Sequence, residues 1–133
     1  NANSTGTFGS MSGEGSVLAA DLNLTLGASD LPANAFGFFL ASVDSGFTAN
    51  PGTSQGNLCL GGAIGRYVGP GQIQNAGSAG EISLALDLTQ IPQPTGSVAV
   101  ATGDTWNFQC WYRDAVGGVA TSNFTDGLSV DFQ

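Results

Sequence analysis

Thr105-Trp106-Asn107-Phe108-Gln109-Cys110-Trp111-Tyr112-Arg113-Asp114 is the stretch whose reading decides the fold. Trp106, Phe108, Cys110 and Tyr112 fall at every second position, with Thr105, Asn107, Gln109, Trp111 and Arg113 between them. A period of two sends the first set to one face of a strand and the second set to the other. No segment sustains apolar residues at i, i+3, i+4 and i+7, the helical alternative. The same alternation recurs in residues 22–26, 82–88, 97–101 and 128–132. Residues 35–43 are more continuously apolar, as in a central strand covered on both faces, and residues 58–60 open a similar run that glycine interrupts. The turn pairs Gly103-Asp104, Gly117-Gly118 and Asp126-Gly127 separate the last segments and predict a meander. Residues 61–80 are glycine-rich, hold Pro70, and show no clean period, which predicts a long ordered loop with one helical turn around residues 72–75. Together these segments predict an all-β fold. The architecture expected is an antiparallel β-sandwich of about eight strands with an immunoglobulin-like or jelly-roll connection.

The chain has 133 residues, enough for one core and too few for two, so residues 1–133 are expected to form a single domain. Asn1-Ala2 is set aside as a processing or vector remnant. With 41% hydrophobic residues the chain falls outside the disordered class, yet only 9% of its residues are charged. Its polar surface must therefore be built from Ser, Thr, Asn, Gln and Gly. Arg66 and Arg113 are the only cations, there is no lysine or histidine, and ten carboxylates bring the net charge to −8. Such a chain would repel a phosphate backbone, so nucleic acid is not an expected partner. Anionic membranes are unsuited for the same reason. The longest nearly apolar run, residues 35–43, is far short of the roughly 20 residues of a spanning helix, so no membrane insertion is expected.

The missing residues narrow the chemistry as well. Without histidine there is no usual general base and no partner for a Ser or Cys nucleophile. Without lysine there is no Schiff base, no Ser–Lys dyad and no phosphate-binding Walker lysine. Two cysteines and no histidine are too few for a tetrahedral zinc site. What survives is carboxylate chemistry, meaning glycoside cleavage by an acid pair or calcium binding. Nothing singles out an acid pair, and the chain is expected not to be an enzyme. Asp30, Asp44, Asp104, Asp114 and Asp126 lie in predicted loops or strand ends, of which Asp104, Asp114 and Asp126 are the calcium candidates. Turn aspartates also bond their own backbone, and no spacing here matches an EF-hand, so calcium is the one cofactor left open.

Cys59 and Cys110 are read as a disulfide, worth roughly 4 kcal/mol for a loop of about 51 residues, with two buried free thiols as the alternative. The disulfide reading and the charge-poor composition place the protein outside the cell or at its surface. Asn3-Ser4-Thr5, Asn23-Leu24-Thr25 and Asn123-Phe124-Thr125 match the glycosylation acceptor pattern, with plain surface polarity as the alternative reading. If the Cys110 face of the stretch at Thr105 is the core, Trp111 stands on a polar face beside Asn107, Gln109 and Arg113. An aromatic ring offering its face to a pyranose, with amides and a guanidinium for the hydroxyls, is how a saccharide platform is made. The alternative is that Trp111 is covered, with Arg113 stacked on it and paired to a carboxylate.

Two further stretches carry a likeness. They are Gln55-Gly56-Asn57-Leu58-Cys59-Leu60-Gly61-Gly62-Ala63-Ile64-Gly65-Arg66 and the following Gly69-Pro70-Gly71-Gln72-Ile73-Gln74-Asn75. With residues 106–114 and Ser122-Asn123-Phe124-Thr125-Asp126-Gly127-Leu128, they resemble a module found near the C-termini of large secreted proteins of planctomycetes, myxobacteria and other environmental bacteria. The resemblance covers most of the chain and implies secretion and a non-catalytic appendage. It carries over no catalytic or binding residue. The expected function is a non-enzymatic extracellular interaction or assembly module, at the cell surface or as a subunit of a fibre or layer. Its partners would be copies of itself, other extracellular proteins or glycans. With no lysine to guard its sheet edges, such a chain lacks a usual device against edge-to-edge pairing. Carbohydrate binding through Trp111, Asn107, Gln109 and Arg113 is the alternative.

Overall fold

The alternating stretch at Thr105 runs on to Val116 as a twelve-residue strand in the computed structural model, which describes all of residues 1–133. In chain order the strands are β1 (Ser10–Gly15), β2 (Leu24–Ser29), β3 (Phe36–Ser42), β4 (Asp44–Ala49), β5 (Asn57–Gly61), β6 (Gly65–Arg66) and β7 (Gln74–Asn75). They continue as β8 (Ile82–Ala85), β9 (Ile91–Gln93), β10 (Gly96–Val98), β11 (Thr105–Val116), β12 (Val119–Phe124) and β13 (Leu128–Asp131). The protein is all-β and every pairing is antiparallel. A single 3₁₀ turn at Ala19–Asp21 is its only helical piece. No helix is long and apolar enough to cross a membrane.

The long strand β11 organises the central sheet because both of its edges are occupied. On one edge β3 pairs from Asn107↔Ser42 to Tyr112↔Gly37. On the other, β13 takes Thr105 to Phe108 and β12 takes Trp111 to Val116. Between those two partners the backbone turns at Thr125, whose amide donates to the Cys110 carbonyl while its hydroxyl accepts from the Cys110 amide. The far edge of β3 is filled by β6 at Leu40 and Ala41 and by β7 at Phe36 and Gly37. The apolar run at residues 35–43 is thus a strand enclosed by neighbours.

The two faces of this sheet bury different things. Phe39, Ala41, Trp106, Phe108, Cys110, Tyr112 and Val130 share one cluster with Leu24, Leu26, Ala28 and Ile82 from the separate sheet β1–β2–β8. Trp106, Phe108, Tyr112 and Phe39 are essentially inaccessible, and burying each contributes roughly 1.5–3 kcal/mol. On the opposite face Leu40 and Phe124 meet Leu60 of the β4–β5 hairpin, with Phe38, Leu58, Ile64 and Trp111 at the margin.

Thirteen strands stand where about eight were expected. The additional ones have no apolar alternation to betray them. β1 (SMSGEG) and β4 (DSGFTA) are glycine- and serine-rich and lie largely exposed, and β6 and β7 are two-residue ladders inside the expected loop. The helical turn expected around residues 72–75 is replaced by the β7 pairing, because Gln74 is drawn to Gly37 of β3. The expected meander is also corrected. β13 returns to β11 rather than to β12, and β10 pairs with β9. β12 pairs with only half of β11, which leaves the other half of that edge for the chain to refill. Asn1 and Ala2, set aside from the sequence, are bonded into the fold through Gln55 and Asn123.

Candidate functional site

Strand register places a band of side chains on the hairpin face of the central sheet. Residues directly opposite in a ladder point to the same side. Gln109 and Leu40 therefore share a row with Arg66, and Phe124, Trp111 and Phe38 form the next row. Arg113, two residues beyond Trp111, continues the same face. The hairpin covers only part of this band. Between them lies an open cleft of about 550 Å³, within the usual range for a small-molecule site. Phe38, Leu40, Trp111 and Phe124 line it from the sheet, and Leu58, Pro51 and Gly52 from the hairpin and its turn. Ile64 and Arg66 close the remaining side.

Trp111 is half-buried in this cleft. Its ring lies 5.0 Å from that of Phe38 at an angle of 32°, and the Arg113 guanidinium carbon sits 5.1 Å from the indole centroid. A tilted aromatic pair with a cation over one ring is mutually stabilising and fixes the orientation of all three groups. The expected alternative of a covered Trp111 thus holds in one part, the stacking of Arg113, while the ring remains a lining element of the cleft.

The structure brings Trp111 and Arg113 together and gives the two expected amides other work. Gln109 is fully buried. Its Oε1 accepts from the Cys59 amide at 2.9 Å, and its Nε2 donates to the carbonyls of Asn57 at 2.9 Å and Thr125 at 2.7 Å. The β4–β5 ladder jumps between Ser45↔Leu60 and Thr48↔Leu58, leaving Cys59 opposite a bulge, so Gln109 supplies the partner that β4 does not. Gln109 therefore binds the hairpin to the sheet, and its amide is unavailable to a ligand. Asn107 reaches the carbonyls of Ser42 and Val43 at 3.4 Å, at the corner between β3 and β4 and outside the cleft.

Comparison with protein-family models, curated proteins and solved structures found no match.

Cys59 and Cys110 are both free. The expected bridge is prevented by the sheet itself. Cys110 points into the core, on the face opposite to Gln109, whereas Cys59 lies on the hairpin that Gln109 holds. Burial pushes the Cys110 thiol up to about 12. The calcium candidates are likewise kept apart, and no three metal-ligating side chains gather anywhere. Asp104 accepts from the Ala101 amide, Asp114 from those of Ser4 and Ala115, and Asp126 from that of Met11. Two acceptor motifs for glycosylation are closed too. Asn3 is buried on the carbonyl of Asp30 and the hydroxyl of Tyr112, and Asn123 on the carbonyl of Ala2.

Arg66, Phe38 and Leu58 were not singled out by the sequence. The rarity of cations was the available signal for Arg66, but its approach to Leu40 depends on a two-residue ladder that no pattern announces. Gly65 lets β9 pack closely over this ladder, because a Cβ there would collide with the carbonyl oxygen of Pro92 on β9.

Proposed function

We propose that this chain is a non-enzymatic extracellular binding module of β-sandwich type whose cleft beside Trp111 takes a saccharide. The observation that carries the reading is the half-buried Trp111, with Phe38 and Arg113 packed against it, in an open cleft whose lining is mainly apolar. Aromatic and aliphatic walls suit the apolar face of a sugar ring, and a guanidinium at the margin suits its oxygens. The extracellular location and the non-catalytic role rest on the charge-poor composition and on the lack of histidine and lysine. A glycan array read with the wild type and with Trp111→Ala tests it. Binding that disappears in the variant supports the reading, and a profile that Trp111→Ala leaves unchanged removes the site.

Assembly from copies of the chain is the second reading, and β4 favours it. All six of its residues are exposed, and Phe47 among them is 71% accessible. Other edges are guarded by means other than lysine. Asp126 caps the Met11 amide of β1, and the backbone of residues 53–55 and the Ser54 hydroxyl lie along β12 at Thr121 and Ser122. Light scattering at high concentration, with and without calcium, tests this reading. Only monomers under all conditions would dismiss it.

A further inference from the structure

The two arginines give the cleft a charge preference. Arg66 and Arg113 are all the cationic side chains that the chain possesses, against ten carboxylates. Both come to the same face of the central sheet, one lining the cleft and the other stacked on its tryptophan. No carboxylate lines the cleft, and neither guanidinium is ion-paired within the chain. Asp114, the neighbour of Arg113 in sequence, points to the opposite side of the strand and is held by the Ser4 amide. In so acidic a protein, two unneutralised guanidinium groups beside one aromatic cleft leave a positive site where the rest of the surface is negative.

We propose that the cleft binds an acidic polysaccharide, one whose sugar rings carry carboxylates. This rests on the saccharide reading above and names its substrate class. A guanidinium presents paired N–H donors in a plane that matches a carboxylate, and such charge-assisted bonds are about twice as strong as those to a neutral hydroxyl. Ladder geometry separates the Cα atoms of Arg66 and Arg113 by on the order of 17 Å, two strands across and four residues along. The two arginines thus rise from opposite ends of the apolar floor of Phe38 and Trp111, where an acidic chain lying across it can meet both. Repulsion from the remaining carboxylates does not forbid this. At physiological salt charges beyond about 8 Å are largely screened, whereas a direct guanidinium–carboxylate contact is not.

Titration calorimetry with oligogalacturonate tests the inference, in near-physiological salt with a chelator present so that calcium cannot bridge protein and ligand. The controls are the same oligomers with every carboxylate methyl-esterified, and cello-oligosaccharides as a neutral chain. The expected result is binding of the acidic oligomer at least about tenfold tighter than of its ester. Arg66→Gln and Arg113→Gln should each cost about tenfold, with circular dichroism unchanged, and Trp111→Ala should abolish binding. If ester and acid bind alike and both arginine variants retain full affinity while Trp111→Ala does not, the charge preference is overturned and the saccharide reading survives. If no oligomer on either this panel or the glycan array binds, both fall.

Discussion

Replacing Gln109 by methionine, which preserves length and approximate volume, would isolate the hydrogen bonds that fasten the β4–β5 hairpin to the central sheet. Three are lost, to the Cys59 amide and to the carbonyls of Asn57 and Thr125. At a net value near 1 kcal/mol each, and with the gain from burying a thioether offset by backbone groups left without partners, Gln109→Met should destabilise the fold by about 3 kcal/mol. The unfolding entropy expected for a chain of this length converts that into a fall of about 10 °C in Tm. Guanidinium denaturation followed by circular dichroism gives the first number. Hydrogen exchange at Cys59 gives the mechanism, because that amide faces a bulge in β4 and has Gln109 as its acceptor. Its protection should fall by more than that of amides in β11. A stability loss below about 1 kcal/mol together with unchanged protection at Cys59 would refute the claim that Gln109 is what holds the hairpin in place.

Tyr67→Phe should leave stability unchanged or raise it by about 1 kcal/mol, since the Tyr67 hydroxyl is buried without a hydrogen-bond partner, and a clear loss in denaturant titration would contradict this. In the native protein iodoacetamide should label Cys59, which is half-buried, and spare Cys110 until unfolding, with an unlabelled intact mass two hydrogens too low as the contrary result. Stability should be level to about pH 9 and then decline toward pH 12. Burial pushes both the Cys110 thiol and the Tyr112 phenol up to about 12 and raises Tyr67 further, so the unfolded chain loses these protons first. Each such group removes about 1.4 kcal/mol per pH unit within that window, and a denaturation midpoint constant from pH 8 to 11 would count against it. Gly65→Ala forces a Cβ onto the Pro92 carbonyl, and should cost about 2 kcal/mol and weaken ligand binding by displacing Arg66, both readable on the purified variant.

Alternation made the β character legible from the start. Wherever one face of a strand is buried, as at Trp106, Phe108, Cys110 and Tyr112, the buried residues must recur with a period of two. Strands lacking a buried face, such as β1 and β4, leave no such trace, because their pairing rests on backbone groups that every residue supplies. The platform reading of Trp111 and Arg113 came from the same alternation. It placed Gln109 correctly on the face opposite to Cys110 but could not tell that a hairpin covers that part of the face. The disulfide failed for a related reason. Sequence separation says how large a loop would be closed, not which side of a sheet each thiol occupies.

What the sequence alone determined is therefore the all-β class, the charge, and the assignment of each β11 side chain to a face, since these follow from composition and from the fixed geometry of a strand. What only the tertiary structure decided is which of those faces stays open. The covering of Gln109, the separation of Cys59 from Cys110 and the meeting of Arg66 with the Trp111 row all depend on contacts between segments distant along the chain. Such contacts are set by how whole layers pack, and no local pattern encodes them.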